Sequence, residues 1–146
     1  MKAFRFRLEK VLAWRRTELE LEEYKMKQLS AEMDLIERSR AQLSAERTAA
    51  EREILGTGSI DGADLGAHAA FLVHLGKQER ELLRRRDEQQ QRLAGQHQRL
   101  IEARQRSRVL EKLKARRHAQ WRADANRELE AFAAEAYLAR WNAERP

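Results

Sequence analysis

The sequence predicts an all-α fold, in which two long helices form an antiparallel coiled-coil hairpin and the second helix overhangs the first. Three observations carry that expectation. The only proline among the 146 residues is the last, Pro146, where ordinary usage would supply about seven. No interior residue therefore deletes an amide donor or clashes with a preceding turn. Apolar residues recur at heptad spacing in a chain dominated by strong helix formers. The one clear interruption is a glycine cluster, "GTGSIDGADLG". At 37 % charged and 6 % aromatic residues the composition does not suit a compact globule, and a disordered chain would have no need of such regular spacing.

The first helix is expected over residues 5–55. Leu12, Leu19, Met26, Met33 and Ile54 share one seven-residue ladder, with Arg40 and Arg47 as polar members. Leu8, Leu29, Ile36, Leu43 and Ala50 form the companion ladder, interrupted by Arg15 and Glu22. This is the two-position seam of a coiled coil. Gly56, Gly58, Gly62 and Gly66 follow within eleven residues, each weakening a helix by about 1 kcal/mol against alanine. They place a loop at 56–61. Asp61 and Asp64 then mark a new start, as carboxylates suited to the amide-rich first turn.

The second helix is expected over 62–142. Leu65, Leu72, Leu93 and Leu100 lie on one ladder, and Leu75, Leu82, Ala103 and Leu110 on the other. Its middle is a poor zipper, because Glu79, Arg86, Gln89 and Gln96 occupy seam positions. Beyond Leu113 the pattern lapses, resuming one residue out of register at Ala125, Leu129, Phe132 and Ala136. A loop this short makes the helices antiparallel neighbours. Counting outward from the loop sets Phe6 beside residue 112, so about 30 residues from Leu113 onward have no partner from the same chain on this count. The whole of 1–146 reads as a single coiled-coil domain.

Charge is unevenly placed. Residues 1–62 carry 12 basic and 12 acidic side chains, whereas 84–127 carry 14 basic and 5 acidic. That basic stretch attracts an acidic partner over about 8–10 Å at physiological salt. The start of the chain, "FRFRLEKVLAWRR", is both apolar and basic. In the hairpin it lies beside "VLEKLKARR", residues 109–117. Phe4, Phe6, Trp14 and Trp121 then gather near Arg5, Arg7, Arg16, Lys112, Arg116 and Arg117. Such a patch marks a docking end.

Other chemistry finds no foothold in the sequence. The absence of cysteine excludes disulfides and thiolate sites. The four histidines, His68, His74, His97 and His118, lack metal-site spacing, and the glycine cluster lacks the Gly-Lys-Ser/Thr ending of a phosphate loop. No enzyme activity and no cofactor are expected. The N-terminus lacks an uninterrupted apolar signal core, which makes the cytoplasm the expected compartment.

The start "FRFRLEKVLAWRRTELE", the glycine-containing loop after about 55 residues, then "FLVHL" and "RSRVLEKLKARR" together resemble the flagellar export protein FliJ family. The resemblance runs over nearly the whole chain. It implies a non-enzymatic stalk of the type III export apparatus, with one end inside the ring of the hexameric export ATPase, promoting its assembly and hydrolysis. It also implies contact with the cytoplasmic domain of the membrane export gate, engagement of export chaperones, and peripheral association at the inner face of the cell membrane through the gate only. Phe71 and Leu75 match the gate-contacting positions of the family's pattern. Phe4, Arg5, Phe6, Arg7, Trp14, Lys112, Arg116 and Trp121 are the expected ring contacts. Near the C-terminus "LEAFAAE", residues 129–135, departs from the Leu-Asp-Glu step of many members.

Three other readings fit parts of the pattern. The equivalent stalk of a virulence-type secretion system is a close neighbour. A basic nucleic-acid-binding coiled coil accounts for the arginines but lacks a recognition motif, so no nucleic acid is expected. A self-associating coiled coil is the fourth.

Overall fold

The computed structural model of the protein describes residues 1–56 and 58–146. Among these the chain is all-helical, with α1 spanning Glu9–Gly56 and α2 spanning Gly62–Ala143, packed against each other as a hairpin. The expected loop at 56–61 includes Thr57, which lies outside the described residues; Gly56 closes α1, and 58–61 are not helical. The Asp61 carbonyl accepts the first amide bond of α2 from Leu65 N at 3.0 Å, so Asp61 holds the flanking N-cap position.

The start of the chain differs from expectation. Residues 1–6 are not helical, and α1 begins at Glu9 rather than at residue 5. The physical reason lies in the pattern Phe4-Arg5-Phe6-Arg7-Leu8, which alternates with a period of two and suits an extended segment better than a helix. Phe4 and Phe6 are half-buried while Arg5 and Arg7 are exposed.

The described residues form two compact units, one of Leu21–Ile101 and one of Met1–Glu20 with Glu102–Pro146. In the unit of Leu21–Ile101, Leu43, Ala50, Leu75 and Leu100 form the buried apolar seam. The polar seam positions are not gaps. Gln89 donates to the Leu29 carbonyl at 2.9 Å and to Glu32 at 3.0 Å. Gln96 donates to the Glu22 carbonyl at 3.0 Å and also to the Glu22 carboxylate. Arg47 meets Glu79 at 2.9 Å, and Arg86 lies 2.8 Å from Glu37. The weak stretch of one helix therefore faces the weak stretch of the other, and as the α1 number rises the α2 number falls.

The unit formed by the two chain ends is built the same way. Leu12, at 0 % exposure, and Ala103 are its buried apolar residues, and Ser107 is buried beside them in the seam sequence. Lys114–Glu9 at 2.8 Å, Arg16–Glu111 at 3.3 Å and Arg106–Glu18 at 3.3 Å flank them. Coverage of α2 reaches further than expected. Trp121 and Ala125 are half-buried, and only from residue 126 is every position exposed. The unpartnered portion thus starts about a dozen residues after Leu113, because the N-terminal segment runs on along α2 instead of ending level with residue 112.

Candidate partner-docking site

The expected docking residues converge on the N-terminal segment and the stretch of α2 that it crosses. Trp121 Nε1 donates to the Lys2 carbonyl at 3.1 Å, hooking the segment onto the helix. The Phe4 ring meets His118 edge-on, with centroids 5.0 Å apart and planes at 82°. It lies 5.9 Å from Trp121, and His118 and Trp121 are themselves 5.7 Å apart. Edge-to-face and tilted arrangements of this kind suit the charge distribution of aromatic rings.

The segment and the helix enclose an open groove of about 1280 Å³. Phe4, Phe6, Leu8, Leu113 and Trp121 supply its apolar wall. Lys2, Arg5, Arg7 and Arg117 supply its cations, against Asp124 as the only acid. Lys114 and Arg16 nearby are held by Glu9 and Glu111. Arg5, Arg7 and Arg117 have no ion-pair partner among the described residues, and neither have Lys112 and Arg116 on the exposed surface of α2. An apolar floor rimmed by unpaired cations can hold an acidic, partly apolar protein segment.

Not every expected residue joins this groove. Lys112 and Arg116 do not line it; Arg117 takes the helix position that does. Trp14 stands apart, 59 % exposed, with the Arg15 guanidinium 4.6 Å from its ring and that guanidinium bound to Glu18 at 2.9 Å. His118 and Lys2 are contributors that the sequence reading passed over. The spacing of His118 and Trp121, three residues apart on one helix face, was the available signal for the first.

The gate-contact pair separates as well. Phe71 is 43 % exposed and can touch a partner. Leu75 is 1 % exposed, packed in the seam of the hairpin, and has no free surface to offer. The expectation of direct partner contact at Leu75 is corrected accordingly. It sits on the ladder of Leu82 and Ala103, which is the inward face, and its role is to hold α2 against α1.

Among the described residues no group of three or more His, Asp or Glu side chains could hold a metal ion, and no helix is long and apolar enough to cross a membrane. Comparison with protein families, with characterised proteins and with solved structures finds no match.

Proposed function

We propose that the protein is a non-enzymatic stalk or adaptor of the flagellar type III export apparatus. Its basic aromatic groove enters the ring of the hexameric export ATPase and promotes assembly and hydrolysis, while the exposed Phe71 face of α2 meets the cytoplasmic domain of the export gate. Export chaperones are further partners, and any association with the membrane runs through the gate. The observation that supports this most is the rim of unpaired cations, Arg5, Arg7 and Arg117, around the Phe4–His118–Trp121 cluster. A monomer gains nothing in stability from such a rim, whereas an acidic partner is steered by it. The resemblance of the chain in order and spacing to the FliJ family supports the export ATPase as that partner.

The deciding measurement is hydrolysis by the cognate ATPase with and without added protein. Stimulation should saturate near one chain per hexamer. Reversing Arg5, Arg7 and Arg117 together to Glu should weaken half-maximal stimulation by about one to two orders of magnitude and flatten its salt dependence. Absence both of stimulation and of co-elution with the ATPase overturns the proposal. For the gate, Phe71→Ala should reduce binding while leaving the melting temperature nearly unchanged. Leu75→Ala should act differently, destabilising the hairpin by about 2–4 kcal/mol as a cavity in the seam.

A further inference from the structure

The last stretch of α2 has an apolar content that solvent alone does not explain. Eleven of the fifteen residues from 129 to 143 are apolar, yet every residue from 126 to 146 is exposed. Leu129 is 66 % and Phe132 71 % exposed. A helix this apolar is ordinarily covered. The N-terminal segment covers α2 upstream, where Trp121 Nε1 donates to the Lys2 carbonyl.

The exposed stripe prolongs an interface that already exists. Half-buried Ala125, four residues after half-buried Trp121, is followed by Leu129, Phe132, Ala136, Ala139 and Ala143, at alternating steps of four and three. That is the seam spacing of a coiled coil continued past the point where the chain's own partner ends. Its two edges carry opposite charge. Glu128 and Glu135 immediately precede seam residues on one edge, and Arg140 immediately follows Ala139 on the other. The Arg140 side chain is 82 % exposed and meets only Glu144, one turn away at 3.3 Å.

Opposite edges of this kind select both a partner and an orientation. Two copies aligned in parallel and in register set Glu135 of each chain against Arg140 of the other, five residues on, so the favourable pair forms twice about the two-fold axis. An antiparallel arrangement sets Glu135 against its own symmetry mate. We infer that residues 125–143 of two chains pair as a parallel, in-register coiled coil, with Leu129 and Phe132 as its principal apolar layers and the alanines allowing close approach. This surface shares no residue with the docking groove other than its neighbourhood on α2, and it stands whether or not the export ATPase is the partner.

Sedimentation of the full-length protein from low micromolar to millimolar concentration tests this. The mass should rise from one chain toward two. Phe132→Glu, a change at an exposed position, should raise the dissociation constant at least tenfold, with the helix content and thermal melt of the single chain unaltered. Glu135→Arg should weaken pairing, and the double exchange Glu135→Arg with Arg140→Glu should restore it. Because the chain has no cysteine, Ala139→Cys provides a clean reading of orientation: parallel pairing joins it to its own counterpart on mild oxidation. A single-chain mass throughout the range, or failure of Ala139→Cys to form the disulfide in a protein that does dimerise, overturns the inference.

Discussion

Glu22 illustrates how a polar residue in a coiled-coil seam can be an asset. Its carboxylate is held below its ordinary value of 4.5 mainly by the hydrogen bond from Gln96, with Lys25 3.5 Å away assisting. A lowered value in the folded state means that the carboxylate adds stability above its unfolded value and loses that contribution as pH falls through the lower, folded one. Gln96→Ala should therefore cost about 1–3 kcal/mol near neutral pH, since the partly buried carboxylate and the Glu22 carbonyl both lose a donor. The gap between the melting curves of the two proteins should narrow as the solution is taken below pH 4.5, because the parent then loses the same ionic contribution. A gap that stays constant through that range would show the hydrogen bond to be incidental. The polar character of Gln89 and Gln96 was plain in the sequence, but their partners were not. Which α1 residue each meets depends on the register, and the register is set by both helices jointly rather than by either pattern alone.

Among the elements, the helices were legible and the N-terminal segment was not. Heptad ladders and a glycine cluster are strong local signals, and α1 and α2 end within about one residue of where those signals put them. At the start of the chain two periods compete: Leu8 and Leu12 belong to a helical ladder, while Phe4, Phe6 and Leu8 alternate with cations as an extended strip does. Tertiary packing decides between them, because the non-helical segment half-buries both phenylalanines, with Trp121 and His118 of α2 receiving Phe4. The docking groove exists only because this segment is not helical, so its shape was beyond the reach of a pattern argument. Phe4→Ala should release the segment, and the Trp121 indole with it. Tryptophan emission should shift to longer wavelength, and protection of the Trp121 ring from chemical modification should fall, while the far-ultraviolet helical signal changes little. Unaltered exposure of Trp121 in that variant would mean that Phe4 does not hold the segment in place.

For the molecule as a whole, the decisive property is that the chain folds back, so that residues about one hundred positions apart become neighbours. One contact exposes that property to direct chemistry. Lys114 Nζ lies 2.8 Å from the Glu9 carboxylate, while the Arg–Glu pairs across the same interface cannot be converted to amides by a zero-length reagent. A carbodiimide joins an amine to a carboxylate only where the two already touch, so it should link Glu9 to Lys114 in solution. The link must be intramolecular. Its yield should be independent of protein concentration, and a mixture of isotopically light and heavy chains should give the crosslinked peptide without mixed-mass species. Lys114→Arg keeps the charge and should abolish the product while leaving the fold intact. Mixed-mass peptides alone would mean that the two segments meet between chains, and a product absent at every concentration would mean that they do not meet. Either result would remove the groove between residues 2–8 and 113–124, because the same fold-back that brings Glu9 to Lys114 brings Lys2 to Trp121.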